Sequence, residues 1–334
     1  MTPQLFANCR DVSAGSSVGS ANGTSVIPKG LAHSCAISSA RELSQFIFQL
    51  LDKNGPEISD YANLEAWFNT VAQFKALGVL TSSDQQRLLE AFGITMRECT
   101  LQGFVTVKPH GYAGDFEIID KIYQNYLSPD ERLVRWDKFF QAQAAVKAVR
   151  NRKALFHDTL DRICRAVRSS PRVLIIGSGP GRDILEHFTN NPASRASFDC
   201  VEQDPKAIAY ASNLTRAFSH QVDFLQRNAL KFHTSERYDL IWAGGIFDYF
   251  SDRVFIALLR RLTIFLANRG ELIVGNFSEK NPTRACMEFG GWVLHHRTPE
   301  QLRNLAFSAG LQGEALGVGL EQEGVNLFLN IRGS

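Results

Sequence analysis

The residues best placed to do chemistry begin where Val173-Leu174-Ile175-Ile176, a wholly apolar run, passes into Gly177-Ser178-Gly179-Pro180-Gly181. Glycines after a buried strand let the chain turn tightly and let a ligand approach bare backbone. The first turn of the following helix adds N–H groups with no partner inside the helix. A dinucleotide fingerprint, G-x-G-x-x-G, would need glycine at position 182, where this chain has Arg182. The observed G-x-G-x-G suits a ligand with an adenosine and no pyrophosphate. Glu202 ends the next apolar run, 21 residues after Gly181, where a carboxylate can accept from both ribose hydroxyls. Taken alone it reads equally well as a solvated strand-end carboxylate; the glycine loop upstream favours the ribose role. Gln203 stands beside it, and Asp204-Pro205 starts a helix with Asp204 as its cap. After a third strand, Asn228 and the Ala229 amide fall where an adenine would be met, although asparagine is also common in turns for backbone reasons.

Together these features make residues 171–334 resemble the class I S-adenosylmethionine-dependent methyltransferases. The resemblance implies an α/β, Rossmann-like sheet of seven strands in the order 3-2-1-4-5-7-6, strand seven antiparallel. It implies S-adenosyl-L-methionine as cofactor, its methionine moiety lying along the glycine loop and the tip of strand four. Here that tip is Ala243-Gly244-Gly245-Ile246-Phe247-Asp248-Tyr249. Three further stretches are richer than a generic member requires: His110-Gly-Tyr112-Ala-Gly114-Asp115-Phe-Glu117, Gly275-Asn276-Phe277 through Pro282, and Met287 through Thr298. With them, residues 104–332 are similar to the bacterial group that includes the 3-hydroxy fatty acid methyl ester synthases. Azetidine-2-carboxylate synthases, which cyclise the cofactor itself, are similar in architecture.

Methyl transfer is an in-line displacement at a sulfonium carbon, so an enzyme contributes mainly orientation and exclusion of water, worth on the order of 7–11 kcal/mol. Aromatic faces at Tyr112, Phe247 or Tyr249 would stabilise the sulfonium by cation–π contact. A carboxylate acceptor needs no general base and could be held by Arg152 or Arg297. A hydroxyl or amine acceptor needs one, with His295, His296, Asp248 and Tyr112 as candidates. In the cyclase reading the cofactor's own α-amine attacks its γ-carbon, and Tyr112, Asp115 or Asn151 would serve as the nearby acceptor. A cofactor-binding regulator without catalysis is the third reading, disfavoured by the intact glycine loop and Glu202. Methyl transfer to a small molecule in secondary metabolism or signalling leads.

The elements that must position these groups divide the chain in three. Residues 1–36, rich in small polar residues, read as a flexible arm. Residues 37–168 read as a helical domain covering the site. Ser39 and Glu42 form a capping box, periodic segments follow over Tyr61–Leu77 and Ser83–Cys99, and Ser128-Pro129 opens a run to about Arg168, broken near Asn151. From Pro171 strands at 172–176, 198–202, 222–226, 238–243 and 271–275 alternate with helical patterns, the mark of a parallel sheet covered on both faces. Two more strands, near 313–317 and 325–331, would pair as an edge hairpin. In 334 residues, 36 Lys+Arg against 34 Asp+Glu give no electrostatic case for nucleic acid. No apolar run nears the roughly 20 residues that span a bilayer, so no membrane is expected. Six scattered cysteines without a CxxC argue against structural zinc or any other metal site, and point to reduced thiols and a cytoplasmic protein.

Overall fold

The computed structural model describes residues 29–167, 170–311 and 316–333, with side chains from Ala40 onward. Most of the expected arm therefore lies outside the described residues. Its last part does not: α1 runs Lys29–Asp52, so Ser39 is inside the helix rather than its cap.

The helical part continues with α2 (Tyr61–Ala76), α3 (Ser82–Ala91), α4 (Leu101–Val107), α5 (Phe116–Tyr123), α6 (Val134–Ala142) and α7 (Ala144–Ala166). Thr81, two residues before the expected start at Ser83, caps α3 in a reciprocal box with Asp84. The long run expected from Pro129 starts later and breaks earlier. Ser128-Pro129 is a turn, its Ser128 N–H bound to the buried Asp137 carboxylate, and the break falls at Gln143, whose ψ of 139° is extended. Helix α7 passes through Asn151 without interruption.

The sheet comprises β1 (Arg172–Ile176), β2 (Ser197–Glu202), β3 (Val222–Gln226), β4 (Tyr238–Ala243), β5 (Leu266–Phe277), β6 (Leu316–Leu320) and β7 (Asn326–Arg332). Their order is β3-β2-β1-β4-β5-β7-β6, with β1 to β5 parallel and β7 antiparallel to both neighbours. Part of the expected 313–317 strand lies outside the described residues, and β6 begins at Leu316. Alternation along each strand divides the core. Val173 and Ile175 pack with Phe156 and Leu160 of α7 and with Ile184 and Phe188 of α8 (Arg182–Asn190). Leu174 and Ile176 face α10 (Asp252–Thr263) and α12 (Pro299–Ser308) on the other side. Two shorter helices, α9 (Pro205–Leu214) and α11 (Arg284–Phe289), complete the fold. Strand order reverses between β1 and β4, and the crevice at their carboxyl ends is where an open α/β sheet places a ligand.

One charged contact fastens the helical part to that edge. Asp120 of α5 is 1% exposed and accepts from Arg182 Nε and Nη2 (2.9 Å for the latter), Tyr210 Oη (2.6 Å) and Gln124 Nε2 (2.6 Å). Arg182 is the first residue of α8 and Tyr210 lies on α9, so one carboxylate ties three helices. Removing it leaves a guanidinium and a phenol without their acceptor. Asp120→Ala should therefore lower unfolding free energy by about 3 kcal/mol, and pairing it with Arg182→Met should recover part of that loss. Denaturant melts of the single and double variants check this; additive losses would mean that the pair is not coupled.

Candidate functional site

The glycine loop takes the shape its sequence requires. Gly177, Gly179 and Gly181 have φ of 69°, 57° and 70°, a left-handed region that side chains disfavour, and Gly181 caps α8. Glu202 folds back over this loop. Its Oε2 accepts from Gly179 N (3.2 Å), and Oε1 accepts from Gln203 N (2.7 Å) and Asp204 N (3.0 Å). Among the described residues the buried Ser178 hydroxyl has no partner, and a Cβ placed at Gly179 would meet nothing within 4 Å. The loop thus leaves open space at Gly179, against which the Glu202 carboxylate sits, with a buried, unused hydroxyl in the preceding residue. Across the next turn Asn228 Nδ2 donates to Gln203 Oε1 (2.8 Å) and Asn228 Oδ1 accepts from Leu230 N (2.9 Å). Ala229 is buried beneath them.

The segment His110–Glu117 reaches the same edge. Tyr112 Oη donates to Asp204 Oδ2 at 3.1 Å, and burial together with the Asp204 and Glu202 carboxylates pushes the phenol well above its usual range. Tyr249, beyond β4, donates to Ala113 O (2.9 Å) and accepts from Trp292 Nε1 (3.0 Å). Between them Gly114, at φ 71°, passes so close that a Cβ would stand 2.5 Å from Tyr249 Oη. Asp115 caps α5, its Oδ1 accepting from Glu117 N (2.9 Å) and Ile118 N (3.0 Å). Burial holds its carboxyl above the ordinary value.

The remaining candidates divide. Arg152 is buried beside the β4 tip, its Nη1 donating to Gly244 O at 3.0 Å. Asn151 turns the other way and donates to Glu321 Oε2 (2.6 Å) on the β6–β7 turn. Ala243 is buried in the core, and Phe247, 0% exposed, packs edge-on to Phe255 at 4.6 Å in the α10 core. His295 is exposed; its backbone N–H donates to Asp248 O (2.7 Å). His296 bonds within its own segment, to Leu294 O and Asn281. Arg297 is occupied as a strut, donating to Phe247 O, Phe250 O, Asn276 Oδ1 and Asp252 Oδ1. Asp248 is fully enclosed and accepts from Phe277 N at 2.5 Å; burial pushes its carboxyl up to about 7 against the pull of Arg152 and Arg297.

A cavity of about 40 Å³ opens between α4, α6 and the start of α7 on one side and the Phe277–Trp292 segment on the other. Val105, Val149, Phe277 and Trp292 line it with Gln143 and Cys286, and no charged side chain does. Gln143 Oε1 is buried there without a partner. No local pattern announces this space, because its walls come from segments far apart in the chain, Val105 and Trp292 among them. Arg182, noticed only as a departure from the dinucleotide pattern, has its role in the Asp120 contact. Among the described residues no cluster of His, Cys, Asp or Glu could hold a metal, and no helix is long and apolar enough to cross a membrane.

No protein-family profile matches the chain, and no curated protein is significantly similar to it. Among solved structures, a chain described as a "possible exported protein" from Bordetella parapertussis superposes with a TM-score of 0.59 at 17% identity, over 92% of this chain and 99% of that one. The N-methyltransferase NodS from Bradyrhizobium japonicum, solved with S-adenosyl-L-homocysteine, gives a TM-score of 0.40 at 19% identity, over 55% and 87% of the two chains. A 1,6-didemethyltoxoflavin-N1-methyltransferase from Burkholderia thailandensis gives 0.42 at 18%, over 56% and 78%. The likeness to the Bordetella chain is one of fold, and the strand order of β1 to β7 is the one expected of a class I methyltransferase sheet.

Proposed function

We propose that this chain is an S-adenosylmethionine-dependent enzyme that transfers a methyl group to a small molecule. The observation that carries the reading is the loop at the β1–β4 switch point, where three left-handed glycines, an unpartnered Ser178 hydroxyl and the Glu202 carboxylate converge. Glu202 would hold the ribose, Asn228 and the Ala229 amide the adenine, and Gly177 and Gly179 the chain running toward β4. The cofactor supplies an electrophilic methyl group on a sulfonium. The protein's part is then to orient the acceptor and keep water out, which the Tyr112, Gly114 and Trp292 contacts support by holding the segment His110–Glu117 over the crevice as a lid.

The apolar cavity beside Trp292, at about 40 Å³, is suited to a small apolar part of the acceptor. Its uncharged walls favour a neutral acceptor over a carboxylate held by Arg297, since that guanidinium is committed within the protein. Asp248 is the candidate base for a hydroxyl or amine acceptor, since its carboxyl, near 7, is bonded to the backbone of Phe277, a wall of that cavity. The uncombined thiols of Cys99, Cys164, Cys200 and Cys286 accord with a cytoplasmic setting.

Mass spectrometry of protein incubated with S-adenosylmethionine, with and without pools of neutral small molecules, tests the reaction. S-adenosylhomocysteine forming only with an acceptor is expected. Methylthioadenosine accumulating without one would replace methyl transfer by cyclisation of the cofactor. With an acceptor in hand, turnover should rise with pH through about 7 as Asp248 loses its proton. Asp248→Asn should remove that limb and slow turnover by about 10²–10⁴-fold; an unchanged limb in the variant would rule Asp248 out as base.

A further inference from the structure

Arg152 is 8% exposed, yet no carboxylate among the described residues comes within 4 Å of its guanidinium. Two arginines near this edge are matched by a carboxylate: Arg182 has Asp120 and Arg297 has Asp252. Arg152 has only neutral partners, the Gly244 carbonyl and the Tyr123 hydroxyl. Asp183, after the glycine loop, and Asp248, after β4, are near enough for their carboxyls to feel its charge, but neither comes within 4 Å of it. A buried guanidinium without an anion is costly, by several kcal/mol in the general case. Such a site is completed by an anion that arrives from outside.

The fold indicates which anion. Glu202 ends β2 and Asn228 follows β3, so a nucleoside held by them lies on the β2–β3 side of β1. The rest of such a ligand must run across the glycine loop toward β4, β1's other neighbour. The loop and the β4 tip touch there, a Cβ at Gly177 falling 3.4 Å from the Ile246 side chain. Arg152 waits at the end of that path. It lies flat against Gly244 and Gly245, where a Cβ would stand 3.1 Å from its Cδ and 2.4 Å from its Nη1, so the glycines make its seat.

We propose that Arg152 anchors the α-carboxylate of the cofactor's amino-acid moiety, not the acceptor. The inference rests on the cofactor reading above. A planar guanidinium matches a carboxylate with two parallel donors, which a lysine ammonium cannot reproduce.

Calorimetry with two probes tests it: S-adenosylhomocysteine, and its decarboxylated analogue, which differs only in lacking the carboxylate. Wild-type protein should bind the first more tightly. Arg152→Met should weaken S-adenosylhomocysteine by about 10- to 100-fold, as expected for a lost charge-assisted pair, and leave the analogue within about twofold. Arg152→Lys should fall between. Gly245→Ala, which displaces the guanidinium without removing its charge, should show the same selectivity on a chain that keeps Arg152. Equal losses for both probes in these variants would make Arg152 a structural residue and overturn the inference, as would unchanged S-adenosylhomocysteine affinity. Wild-type protein that binds neither probe would instead overturn the cofactor reading beneath it.

Discussion

The Asp120 carboxylate is the contact on which the geometry of the site depends. It is enclosed, it takes bonds from α8 and α9 as well as from the end of its own helix, and its partner Arg182 is the residue that follows the last glycine of the loop. A buried pair of this kind adds little net stability over an apolar contact, but it fixes one arrangement, since breaking it strands a charge. Here the arrangement it fixes brings the helix after the lid segment against the helix after the glycine loop. Tyr112, Gly114 and Asp115 precede α5 and so inherit their places from that contact.

From this fastening the crevice acquires two kinds of wall. The sheet side is polar and made by backbone: glycine amides, the start of α8, and Glu202 turned back onto the loop. The helical side is apolar and made by side chains from α4, α6 and α7 with Phe277 and Trp292. Trp292 bonds Tyr249, Tyr249 bonds Ala113, and Phe277 bonds Asp248, so groups around the β4 tip are held by both walls. A polar wall that positions a charged cofactor and an apolar one that admits a second molecule are what a group transfer between them needs.

The sheet was legible because its signals are local. Each of β1 to β4 is a short apolar run ending in a turn, and the left-handed glycines stand in the sequence as glycines. The helical part was less so. Gln143 breaks the α6–α7 run with no proline or glycine to announce it, held instead by packing of Phe139 and Ala145 into different clusters. The residues of Arg150-Asn151-Arg152-Lys153 look alike in sequence, yet helical rotation sends Arg150 to Gln141, Asn151 to Glu321, Arg152 to Gly244 and Lys153 to Glu186. Arg297 looked free for a ligand because the carbonyls that occupy it, those of Phe247 and Phe250, carry no signal in residue type.

The central claim is that one ligand site is built jointly by the glycine loop and the lid segment. Hydrogen exchange of the full chain with and without S-adenosylhomocysteine measures this directly. The account predicts that the ligand slows exchange both at residues 177–181 and at 110–115. Protection confined to the glycine loop, with the lid segment exchanging as before, would contradict it.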